Sequence, residues 1–123
     1  MSGRRRAPSQ SQPEQRQQIK FANELVASVI DGDKQATVRY DGFEDVEVGD
    51  TLTAATEDGS AFADLKIRRT AVVDAVEAYQ VLAMADAGYD AESPQGVINN
   101  LNKHYEARIR PSTTVTVLVI EVR

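Results

Sequence analysis

Lys34, Thr37 and Arg39 fall within six residues of one another in the run Gly32-Asp33-Lys34-Gln35-Ala36-Thr37-Val38-Arg39-Tyr40. Ala36, Val38 and Tyr40 alternate with Gln35, Thr37 and Arg39, which predicts a strand with one apolar and one polar face. A period of two sets Thr37 and Arg39 on the same face, roughly 7 Å apart, and leaves Lys34 at the mouth of the strand. One ammonium, one hydroxyl and one guanidinium converging there suit an anion, a carbonyl or the edge of a base. Tyr40 follows directly, as a platform for a stacked base or as a core residue. The plainer alternative pairs the two cations with Asp31, Asp33 or Asp41 in solvent, where such contacts contribute little, and takes Thr37 as an ordinary strand residue.

Other chemistries are narrowed by what the chain lacks. It has no cysteine and one histidine, His104, so thiolate and imidazole ligand sets cannot be assembled within it, and no metal or cofactor is expected. His104 has no partner ligands in sequence and reads as structural or partly exposed. Arg68 and Arg69 are either a phosphate contact or a solvated strand end.

The charge is uneven. Of 14 basic and 19 acidic residues, residues 1–18 hold four arginines and one glutamate, a balance of +3. Ten basic and eighteen acidic residues remain, or −8, which argues against a broadly basic nucleic-acid clamp. Only four lysines accompany the acidic residues, a balance seen in proteins of salt-loving organisms. Arg4, Arg5 and Arg6 precede Pro, Ser and Gln rather than an apolar segment, so no secretory or twin-arginine leader is expected. No apolar stretch approaches the length of a membrane span, and the expected location is the cytoplasm.

Those residues must be positioned by a small domain. At 123 residues the chain is one domain by length. Residues 1–18, rich in Arg, Gln, Ser and Pro, read as a disordered tail that is either inert or, through Arg4, Arg5 and Arg6, a phosphate-seeking arm. The folded domain is expected over residues 19–123. Phe21, Leu25 and Val29, with the ridge Ala22, Val26 and Ile30, predict a helix over residues 20–31, ended by Asp31-Gly32-Asp33. After the Lys34 strand, residues 51–56 and 61–73 flank Asp58-Gly59 as a β-hairpin. An alanine-rich helix is expected from Asp74 to a stop near Gly88. Ser93-Pro94 starts a second, marked by Val97, Ile98, Leu101, Tyr105 and Ile109. Residues 113–122, nearly all β-branched, predict a central strand covered on both sides. The expected class is α+β, a small β-barrel of about five to six strands with two to three packing helices.

The run Gly-x-Lys-x-x-Thr-x-Arg after a helix resembles the ASCH domain of the PUA-like superfamily. It is followed, as there, by Val48-Gly49-Asp50, a long hairpin, a serine-initiated helix ending in Tyr105, and a closing apolar strand. The resemblance covers about residues 19–122. It implies a PUA-like barrel with a cleft beside the first helix, and binding of RNA or modified nucleosides. Some small bacterial members remove acetyl from the exocyclic amine of acetylated cytidine, using a Lys, a Thr and a Glu. By resemblance these roles fall on Lys34, Thr37 and, counting back from Ser93, Asp90, with the motif arginine at Arg39. Asp90 is one methylene shorter than the family's glutamate, and Gln35 stands where many members carry threonine.

Three functions follow as expectations. The first is an ASCH-type domain that binds RNA or a modified nucleoside through Lys34, Thr37, Arg39 and Tyr40. The second is an amidohydrolase in which Lys34 takes the Thr37 proton, Thr37 attacks the amide carbonyl, and Asp90 protonates the leaving amine. The third is a protein-interaction module. The partner expected first is RNA or a nucleoside, without membrane or metal, and the sequence leaves the oligomeric state open.

Overall fold

A computed structural model describes residues 17–87, 89 and 91–123 of the chain. Five strands form one curled sheet in the order β1-β3-β4-β5-β2: β1 Gln18–Phe21, β2 Ala36–Arg39, β3 Thr51–Thr56, β4 Ala61–Asp74 and β5 Thr114–Val122. Three α-helices accompany it, α1 Val26–Asp31, α2 Ala75–Met84 and α3 Pro94–His104, with a 3-10 turn at Asn23–Leu25 leading into α1. This is the expected α+β class, with the small barrel realised as a five-stranded curled half-barrel and its packing helices.

The largest departure from the sequence reading lies at the start. The helix expected over residues 20–31 is only its second half, because Ile19 and Phe21 belong to β1, which pairs in parallel with β3 from Gln18↔Thr53 to Phe21↔Thr56. Phe21, Leu25 and Val29 are spaced as in a helix, but strand alternation buries Ile19 and Phe21 while Gln18 and Lys20 remain exposed. Gln17 also joins the fold: its carbonyl accepts from Thr53 N at 3.0 Å and its amide donates to the Gly42 carbonyl at 2.7 Å. Tertiary pairing thus overrides local periodicity, and Gln17 and Gln18 take part in it.

The remaining elements follow local signals. Gly32 closes α1 in the left-handed region at φ +82°, where a side chain would be strained. In the β3–β4 turn, Asp58 takes hydrogen bonds from the Thr56 hydroxyl and from Ser60 N. At the head of α2, the Glu77 carboxylate accepts from Asp74 N at 3.3 Å. Ser93 Oγ accepts from Gly96 N at 3.0 Å, and Pro94 occupies the first turn of α3. That helix stops at His104 rather than running on through Ile109. Tyr105 is already extended, and Ile109 returns to the core through a clamp in which Asn102 exchanges two hydrogen bonds with its backbone.

Two hydrophobic clusters sandwich the sheet. α2 and α3 cover the face carrying Ala36, Val38, Val115 and Val117. The opposite face buries Ile19, Phe21, Leu65, Ile67, Leu118 and Ile120 together with Val29 of α1. β5 therefore serves both clusters by alternation and is apolar nearly throughout. Each fully buried aliphatic or aromatic side chain contributes about 1.5–3 kcal/mol, so β5 is a principal source of cohesion.

Candidate functional site

The polar face of β2 points into the fold. Thr37 is only 5% exposed and Arg39 is half-buried, because the curl of the sheet brings Phe21 and the Phe43 loop over that face. Arg39 Nε donates to Thr37 Oγ1 at 2.9 Å, joining the two residues two apart on one strand face. The guanidinium carbon lies 4.9 Å from the Phe21 ring centroid and 6.0 Å from that of Phe43. A delocalised cation on aromatic faces is held firmly while its remaining N–H donors stay usable.

Burial lowers the Arg39 pKa from its ordinary value, while the phenols of Tyr105 and Tyr89 and a hydrogen bond to Tyr105 oppose that shift. Arginine remains charged at neutral pH under such an influence. The site therefore holds a fixed positive charge in a partly desolvated setting, where its pull on an anion or carbonyl exceeds that of a solvated side chain.

Lys34 reaches the same neighbourhood from the loop between α1 and β2. Its Nζ sits 5.6 Å from the Tyr89 ring centroid, and Tyr89 also acts on Arg39. Its position follows from Gly32: the left-handed cap reverses the chain, and Lys34 N donates to the Ser28 carbonyl at 3.0 Å. Tyr89 and the Phe21/Phe43 pair escaped the sequence reading. Tyr89 lies in a loop without periodicity, and the phenylalanines reach Arg39 only through tertiary packing.

Tyr40 is placed differently from Thr37 and Arg39. Its ring packs with the α2/α3 cluster and meets Tyr105 edge to face, with centroids 5.6 Å apart. Its amide donates to the Tyr105 hydroxyl at 3.2 Å. Arg4, Arg5, Arg6 and Asp90 lie outside the described residues. Gly49-Asp50 shapes a loop: Gly49 N donates to the Ile67 carbonyl at 2.8 Å, and Asp50 accepts from Glu47 N at 2.9 Å. Arg68 pairs with Glu121 at 2.9 Å on the exposed surface. His104 is exposed at the end of α3.

One further residue belongs to this face. Thr116 on β5 stands directly opposite Arg39 in the antiparallel pair, so the two side chains share one side of the sheet. It is 1% exposed, and its hydroxyl has no hydrogen-bond partner among the described residues. Within a β-branched run nothing in the sequence marks it. A separate apolar groove of about 310 Å³, lined by Val48, Met84 and Val119 among others, lies on the α2 side of the sheet.

The architecture that carries these residues is shared with several solved structures, one of them an ASCH domain. The crystal structure of hypothetical protein PH0355 superposes with a TM-score of 0.65 at 14% identity, covering 88% of this chain and 99% of its own. An ASCH domain from Lactobacillus crispatus superposes at 0.60 and 11% identity, covering 86% and 79% respectively. Protein EF3133 from Enterococcus faecalis gives 0.56 and 15%, covering 81% and 70%. No protein-family model and no curated protein sequence matches the chain. The chain thus shares the fold of these structures, an ASCH domain among them, and identities of 11–15% speak to fold alone. No helix among the described residues is long and apolar enough to cross a membrane.

Proposed function

We propose that the protein binds a modified nucleoside, free or within RNA, at the site formed by Lys34, Thr37 and Arg39. The observation that carries this reading is the Arg39–Thr37 hydrogen bond, with the guanidinium half-buried against aromatic rings and Lys34 beside Tyr89. A guanidinium fork and a hydroxyl match the carbonyl and N–H edge of a base, the ammonium suits a phosphate or a further carbonyl, and the tyrosine offers an aromatic surface. The resemblance of the Gly-x-Lys-x-x-Thr-x-Arg run to ASCH domains, and the ASCH-type fold, point the same way.

Isothermal titration with nucleosides and short oligoribonucleotides tests this. Arg39→Ala is expected to weaken binding at least about tenfold, the loss of one charge-assisted hydrogen bond. If Arg4, Arg5 and Arg6 form a phosphate-seeking arm, a chain starting at Gln17 binds RNA with a salt slope shallower by about 2, at roughly 0.7 per phosphate contact, and binds free nucleosides unchanged. If neither nucleosides nor RNA shift the melting temperature, the reading fails and a protein-interaction role takes its place.

A second reading draws on Thr37 itself. Its oxygen accepts from a permanent cation, which favours the ionised hydroxyl needed for attack. In this amidohydrolase reading Lys34 takes the proton as Thr37 Oγ1 attacks the acetyl carbonyl of acetylated cytidine. The C–N bond then breaks with a proton passing from Asp90 to the amine, and water cleaves the acetyl ester. Chromatography of acetylated cytidine incubated with the protein decides it: turnover abolished in Thr37→Ala and Lys34→Ala supports the assignment, and turnover unchanged removes it.

A further inference from the structure

We infer that Thr116 is an additional ligand-binding residue of this site, its hydroxyl pairing with the edge of the bound base next to the group held by Arg39. The inference rests on the nucleoside-binding reading above and deepens it. Thr116 and Arg39 are cross-strand partners, and Thr37 lies on the same face two residues along β2, so two hydroxyls and a guanidinium share one strip of the sheet. Of these, the Arg39 Nε and the Thr37 hydroxyl satisfy one another, whereas the Thr116 hydroxyl is 1% exposed with no partner among the described residues.

That arrangement is unfavourable for folding taken alone. A buried hydroxyl without a partner loses its hydration for nothing, and valine, which has nearly the same shape, avoids the loss. The neighbouring positions Val115 and Val117 show that β5 accepts valine, so backbone propensity does not require threonine. A hydroxyl both donates and accepts, and Thr116 stands across the strand pair from Arg39, whose guanidinium carries a fork of N–H donors. The ligand edge that satisfies both is a carbonyl adjacent to an N–H or ring nitrogen, as in the lactam or amidine edge of a pyrimidine. When the guanidinium turns from Thr37 onto the ligand carbonyl, Thr116 is the group on that strip positioned to take the neighbouring atom.

The test compares the whole protein with Thr116→Val and Thr116→Ser, using thermal melts and calorimetric titration with uridine, cytidine and acetylated cytidine as probes. Thr116→Val is expected to melt a few degrees above the wild type and to bind the preferred nucleoside at least about tenfold more weakly. Thr116→Ser is expected to keep affinity within about threefold, because the hydroxyl remains. Wild-type affinity in Thr116→Val, or a loss in Thr116→Ser as large as in Thr116→Val, overturns the role of the hydroxyl while the site stands. A wild-type protein that binds none of the probes overturns the site and this inference with it.

Discussion

The Tyr105 hydroxyl accepts the main-chain N–H of Tyr40 at 3.2 Å while the two rings meet edge to face at 5.6 Å. Residues 65 apart in sequence are thereby joined, and the same phenol acts electrostatically on Arg39. One phenol thus fixes the end of β2 and bears on the charge of the guanidinium projecting from it. Tyr105→Phe keeps the ring pair and removes the acceptor. It is expected to cost about 1–2 kcal/mol in urea denaturation and to weaken nucleoside binding through a less well-placed Arg39.

Gly32 holds φ +82° two residues before Lys34, and nothing lies within 4 Å of where its Cβ would be. The cost of substitution is therefore conformational rather than steric. Gly32→Ala is expected to lose about 1–2 kcal/mol by chemical denaturation, and Gly32→Asn less, since asparagine tolerates the left-handed region better. Equal losses in the two variants would count against this account.

Asp58 is a fully exposed carboxylate in the β3–β4 turn. Its hydrogen bond from the Thr56 hydroxyl, and then those from Ser60, hold its pKa below the usual carboxylate range. A carboxyl whose pKa is lower in the folded state adds stability above its unfolded pKa and loses it as pH falls through the folded value. Its NMR titration midpoint is expected below that of a model aspartate and should rise in Thr56→Val. The melting-temperature advantage over Asp58→Asn should shrink in acid. An unmoved midpoint in Thr56→Val would remove the hydroxyl as the cause.

The parallel β1–β3 pairing makes a sharp boundary for truncation. A chain beginning at Gln17 is expected to melt like the full chain, whereas one beginning at Asn23 loses Ile19 and Phe21 from the core and does not fold stably. Phe21→Ala alone is expected to cost about 3–5 kcal/mol and to loosen Arg39, whose guanidinium rests on that ring. Circular dichroism melts across the truncations check the boundary.

Elements whose instructions are local were legible in the sequence. Ser93-Pro94 announced α3, Asp58-Gly59 the hairpin turn, Gly32 the end of α1, and the β-branched run the doubly covered β5. β1 was hidden because Ile19 and Phe21 owe their strand state to β3, more than thirty residues away. The candidate site was legible only in its sequence-local part. Lys34, Thr37 and Arg39 stand out by type and spacing, and alternation alone puts the last two on one face. Tyr89, Phe21, Phe43 and Thr116 join them by the closing of the sheet, which no short window of sequence records.

The strand order carries a consequence for how the molecule is made. Among the described residues β2 pairs only with β5, which a ribosome delivers some eighty positions later. Until then Ala36 and Val38 lack their strand partners, and the strip bearing Thr37 and Arg39 lacks its other half. Competence to recognise a ligand should therefore appear in one late step, with the arrival of Thr116 and its strand, rather than growing gradually as the nascent polypeptide lengthens.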